Sequence, residues 1–154
     1  MKTQIDQLKD VLRFEIELSE KLLGVLKSKQ MAVVHQRLAE LSTCVHKEQE
    51  MLVPIANASK ERAQLVRAIL LGYNPSNKNP RGMDGGIEAV LEHLKDPDRQ
   101  SLSALVVKLR ATANEILAVN TVSVKLIEHS LRFVRENVRV LTENFSRKLV
   151  DQKV

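Results

Sequence analysis

Apolar residues recur every three or four positions through most of the chain, which is the period of a helix surface. Near the start, Ile5, Leu8, Leu12, Ile16, Leu23 and Leu26 form one stripe. Val11, Phe14, Leu18, Leu22 and Val25 widen it, which predicts a first helix that touches more than one neighbour. A second helix is expected from about Met31 to Leu71, with the turn at Ser28-Lys29-Gln30. Its seam runs through Met31, Val34, Leu38, Leu41, Val45 and Leu52 to Ile55, Val66 and Ile69, with Glu48, Ser59 and Arg62 filling the gaps. The alternating intervals are those of a coiled coil. Pro54 lies inside this pattern. Its ring clashes with the carbonyl four residues back and it donates no hydrogen bond, so a kink or break is expected there.

The pattern stops at "GYNPSNKNPRGMDGG", residues 72–86. Gly72, Gly82, Gly85 and Gly86 fall here with Pro75, Pro80 and several asparagines, the chemistry of a long flexible loop. The glycine spacing fits no phosphate-binding loop and no strand precedes it. The loop divides the chain into an N-terminal helical hairpin (1–71) and a C-terminal part (87–154) within a single domain. After it, Ile87 to Lys95 reads as a short helix. Asp96, Pro97 and Asp98 then suit a helix start, as cap, first-turn proline and anion at the positive end of the dipole.

The last helix is expected to run to about Leu149. Its stripe is Leu102, Val106, Leu109, Ala113 and Ile116, then Asn120, then Val124, Ile127, Leu131, Val134, Val138, Leu141, Phe145 and Leu149. Asn120 is the one polar member. At ~1.5 Å per residue such a rod spans roughly 75 Å, more than a compact core requires, so it must pack on another rod. The second helix is the expected partner. The fold class that follows is all-α, an elongated antiparallel helical bundle or coiled coil of long helices with one short helix and a flexible loop.

Composition narrows function by exclusion. Aromatic residues are 3% of the 154, with no Trp, so base stacking and flat-ligand pockets are not expected. The net charge is +5, but from Lys125 onward seven Lys/Arg interleave with four Asp/Glu, which reads as a solvated face before a nucleic-acid footprint. Cys44 is the only cysteine, so no internal disulfide can form, and no nucleophile motif surrounds it. The charged N-terminus has no signal-peptide core and no run approaches the ~18 apolar residues of a membrane span. The Asn-x-Ser sequons at Asn57 and Asn144 carry no weight in a cytoplasmic protein, which is the expected setting.

Catalytic and metal-binding patterns are missing. The residues three before His35, His46, His93 and His129 are Ala32, Thr43, Val90 and Leu126, so no Glu-x-x-His pair of a di-iron bundle exists. The histidines read as exposed or edge positions. Glu15 and Glu17, or Glu48 and Glu50, are two apart and point to different sides of a helix. No cofactor, metal site or enzymatic activity is expected.

The stretch "EIELSEKLLGVLKSKQMA" in the first half and, more strongly, "LVVKLRATANEILAVNTVSVKLIEHSLRFVRENVRVL" in the second resemble the FlgN family of flagellar export chaperones. There Asn120, Leu131, Phe133, Val134 and Leu141 fall in step with the family's helix asparagine, its Leu-x-Phe-Val cluster and its final leucine. The chain departs from the family at the first turn, where a Gly-Asp or Asn-Asp pair is usual. The resemblance implies a cytoplasmic chaperone for type III flagellar secretion, which captures the C-terminal helical region of hook-associated proteins with its own C-terminal helix. The implied contact residues are Asn120, Val124, Ile127, Leu131, Phe133, Val134, Val138, Leu141 and Phe145, with Arg132, Arg135 and Arg139 at the rim. Contact with the export apparatus and a homodimer are both compatible with this reading. Asn120 has two roles open to it: register control within a buried seam, or a hydrogen bond to a client helix. The rival classes are a basic nucleic-acid-binding helical protein and a structural coiled coil.

Overall fold

Thr3 starts the first helix by accepting a hydrogen bond from the Asp6 amide at 3.1 Å, while Asp6 returns one from the Thr3 amide. This reciprocal cap satisfies two amides that a helix start would otherwise leave unpaired. The computed structural model describes residues 1–74 and 86–152. Four helices account for most of them: α1 (Gln4–Val34), α2 (Leu38–Tyr73), the short α3 (Gly86–His93) and α4 (Asp98–Gln152). Among the described residues there is no strand, and the fold is all-α as expected.

Three cross-helix ion pairs give the direction of α4. Lys9 meets Asp98, Glu20 meets Lys108 and Lys27 meets Glu115, so both numbers rise together and α1 and α4 run parallel. Arg62 meets Glu15 and Glu48 meets Lys29, so α2 runs antiparallel to α1. Helix α1 packs along both α2 and α4. The expectation that α4 would lie along α2 is therefore corrected: its long partner is α1. The reason is the width of the α1 stripe. Leu8, Leu12 and Ile16 serve the core while Val11, Leu22 and Leu26 are also buried, so one helix covers two neighbours. The widened stripe predicted this for α1, although Phe14 itself points to water.

The core sits at one end. Leu8, Leu12 and Ile16 of α1 meet Val66, Ile69 and Leu70 of α2, Ile87 and Val90 of α3, and Leu102, Val106 and Leu109 of α4. Tyr73, at the end of α2, stacks on His93 at the end of α3, with ring centroids 4.6 Å apart.

Several local boundaries differ from expectation, and Pro54 makes no break. Helix α1 continues through Ser28-Lys29-Gln30 to Val34, and the turn lies at His35-Gln36-Arg37. Arg37 N–H donates to the Ala32 carbonyl at 2.9 Å and Gln36 N–H to the Val33 carbonyl at 3.2 Å, with Gln36 at φ 57°. This is the Schellman termination, with glutamine where glycine is usual. Pro54 lies inside α2 without ending it; it is exposed, so the carbonyl of Glu50 that it leaves without a donor can turn to water. Helix α4 begins at Asp98, after the expected cap. Asp96 accepts from the Gln100 side chain at 3.4 Å, and Asp98 accepts from the nine-tenths buried Lys9 at 2.7 Å. Helices also claim Gly72, Tyr73 and Gly86 from the span read as loop; residues 75–85 of that span lie outside the described residues.

One buried charge has a consequence for stability. Glu15 is 5% exposed and its carboxylate lies 3.0 Å from Arg62 Nε, close enough for an ion pair but without hydrogen-bond alignment. Burial pushes the carboxyl above the usual range, and Arg62 only partly opposes it. A raised acid binds its proton more tightly folded than unfolded. Its stabilising contribution is complete below the ordinary glutamate value of about 4.3 and is lost as pH rises through the folded value. Glu15→Gln should remove this term, so the variant should gain stability relative to the unmodified chain between about pH 4 and about pH 7. Urea midpoints at the two pH values measure it, and a constant difference between the two chains would refute the assignment.

Candidate partner-binding face

Ser123 is the last fully buried residue of α4. It stands level with the end of α1, one register step beyond the Lys27–Glu115 pair. Leu126 and Ile127 are half-buried, and every residue from Glu128 to Asp151 is exposed. At ~1.5 Å per residue, about 36 Å of α4 therefore lies beyond Ile127, and among the described residues only its first turns have the hairpin tip beside them.

Six of the nine residues expected to meet a partner fall on this part, and Asn120, Val124 and Ile127 lie just before it. Val124, Leu131, Phe133, Val134, Val138, Leu141 and Phe145 are all exposed, Ile127 is half-buried, and Asn120 is exposed as well. Asn120 is thus not part of the intramolecular seam, contrary to the expectation of a buried amide. The seam that α4 turns inward passes through half-buried Val119 and buried Ser123 on either side of it. Within this chain, register control by Asn120 has no facing helix to act on.

The drift has a simple geometry. One row of α4, spaced by seven, is Leu102, Leu109 and Ile116, buried or half-buried; it continues as Ser123, Ser130, Asn137 and Asn144. The next row does the opposite. Ser103 and Arg110 give way to Leu117, Val124, Leu131, Val138 and Phe145. Adjacent rows are about 100° apart around a helix. Beyond Ile116 the row that faces inward and the row that is apolar are therefore about that angle apart around α4. From Leu117 to Phe145, joined by Asn120, Ile127, Val134 and Leu141, the intervals alternate three and four. That is a coiled-coil seam, and it faces water.

The hairpin tip forms one wall beside it. Val33, Leu38 and Leu41 line an open apolar groove together with Ile127, Leu131 and Val134. Sequence reasoning missed this wall because it placed the turn too early. The signal available was the pair Val33 and Leu38 flanking a polar triplet, His35-Gln36-Arg37. Arg132, Arg135 and Arg139 are exposed, and Arg139 lies 3.7 Å from Glu143. Ser123 Oγ is buried and has no hydrogen-bond partner.

All four histidines are exposed. Among the described residues no group of three His, Cys, Asp or Glu side chains is placed to hold a metal ion, and no helix is long and apolar enough to cross a membrane.

Comparison with curated proteins and with solved structures finds no match. A family model does match, that of the FlgN protein, over residues 1–150. A match over nearly the whole length, on a chain whose long C-terminal helix offers an open apolar seam, places this protein in the FlgN family of flagellar export chaperones.

Proposed function

We propose that the chain is a cytoplasmic chaperone that holds the C-terminal helical region of hook-associated proteins, those of the hook–filament junction, until their export. The contact face is the exposed side of α4 from Asn120 to Phe145. It comprises Asn120, Val124, Ile127, Leu131, Phe133, Val134, Val138, Leu141 and Phe145, rimmed by Arg132, Arg135 and Arg139. One observation carries this reading. Helix α4 outlasts α1 by more than six turns and keeps an apolar seam over that length that no helix among the described residues covers. Exposed contiguous apolar surface of this kind marks an interaction site. A client segment that coils with its neighbours after assembly exposes a matching stripe while monomeric. Laying that stripe on α4 keeps both out of water and prevents early polymerisation. The role needs no catalysis and no cofactor.

The nucleic-acid alternative is weakened by Glu128, Glu136 and Glu143, which interleave with the arginines on the same exposed stretch. Titration calorimetry against segments of a hook-associated protein from the same genome tests the proposal. The C-terminal segment should bind one-to-one with a Kd of about 1 μM or tighter, and the N-terminal segment should not bind. Equal binding of both segments, or of neither, would remove the assignment.

A further inference from the structure

The free seam of α4 carries information about its partner in the residues that flank it. One flank is the row Ser123, Ser130, Asn137 and Asn144; the other is Thr121, Glu128, Arg135 and Thr142. In coiled coils the flanking charges choose the partner. Ser123 is buried against the chain's own hairpin; of the seven exposed flanking groups five are uncharged and the other two are one acid and one base, while Arg132 and Arg139 stand one row further out. We infer that the helix bound on this seam has uncharged polar flanks, rich in Asn, Gln, Ser or Thr, and lies about 100° around α4 from the side that α1 occupies.

This rests on the proposed reading that the seam binds a client helix, and it specifies which kind. A helix flanked by Glu and Lys would bring charges against hydroxyls and amides that cannot neutralise them, partly out of water. An amide- or hydroxyl-flanked helix exchanges hydrogen bonds with Asn137 and Asn144 instead. The direction of approach follows from the rotated apolar row. Leu117, Val124 and Leu131 do not continue the buried row of Leu102 and Leu109, so the client does not extend α1 end to end. It lies on a neighbouring side, where the seam overlaps the last turns of the hairpin. The overlap puts one end of the client against Val33, Leu38 and Leu41 of the tip. Asn120, exposed within this seam, then pairs with a polar residue of the client and fixes its register.

Two synthetic four-heptad peptides test this on the full-length protein. They share one Leu/Ile core with a single Asn layer and differ only in their flanks, Asn/Ser/Gln/Thr in one and Glu in the other. Fluorescence anisotropy at about 0.15 M salt screens long-range attraction to the basic chain. The neutral-flanked peptide should bind at least about tenfold tighter. Asn137→Lys combined with Asn144→Lys, both exposed, should reverse the preference by a similar factor. Equal affinities, or tighter binding of the Glu peptide to the unmodified chain, overturn the inference. So does a concentration-dependent dimer in sedimentation that excludes both peptides and is abolished by Leu131→Asp, because the seam then belongs to a second copy. If Leu131→Asp leaves binding of the hook-associated segment intact, the proposed function fails. If it abolishes that binding while the peptides bind equally, only the flank inference fails.

Discussion

Leu131→Asp should abolish binding of the hook-associated C-terminal segment while the far-ultraviolet circular dichroism of the free protein stays helical. Leu131 is 50% exposed in the free chain and only lines the open groove beside the hairpin tip, so little intramolecular packing is lost on substitution. In the complex its remaining exposed half would be covered, a gain of about 1 kcal/mol that the variant forfeits. The greater loss comes from the carboxylate. Buried against an apolar client stripe without a partner, it costs several kcal/mol more, so affinity should fall by at least about a hundredfold. Val134→Asp, on the paired row, should behave alike. Helicity survives because the substitution faces water in the free protein, and Arg135 stands four residues on to receive the new charge. Unchanged affinity in either variant would place the client elsewhere.

The contrast between the two halves of α4 also explains what could be read from the sequence. The stripe from Leu102 to Leu149 is unbroken in three-four spacing, so the existence and length of the helix were legible. Which side of it faces inward was not. A list of apolar positions at three-four intervals cannot distinguish one seam from two that exchange at Ile116 and Leu117. The distinction depends on where α1 ends, and that end was misplaced because Gln36 takes a left-handed conformation that favours glycine. The same misplacement hid the wall formed by Val33, Leu38 and Leu41. Asn120 is the polar member of the stripe, and its exposure follows from tertiary packing that no local pattern contains. The partner of α4 was misassigned for a related reason. The seam of α2 has coiled-coil spacing, but Leu52 on it is exposed, whereas α1 buries two sides. The choice between them depended on width, not period.

The other large effect expected is on stability, at the closed end of the molecule. Leu12 is 0% exposed and belongs to the cluster that joins all four helices. Leu12→Ala removes buried methyl and methylene groups and leaves a cavity that four converging helices cannot all relax into, which should cost about 2–5 kcal/mol. For a chain of this size that corresponds to a fall in Tm of roughly 5–20 °C. Leu141→Ala deletes a side chain of the same type but 68% exposed, and should change stability by less than about 0.5 kcal/mol. The two leucines should exchange roles once client is present. At a temperature where Leu12→Ala remains folded, its face on α4 is unaltered and its affinity for the hook-associated segment should match that of the unmodified chain. Leu141→Ala should bind more weakly although its Tm alone is normal, and it should gain less thermal protection from the client, since ligand stabilisation follows affinity. Thermal melts with and without the segment measure all four quantities. If Leu141→Ala melts as low as Leu12→Ala in the free protein, the far half of α4 is covered by its own chain, and the separation between a closed end that folds and an open end that binds is lost.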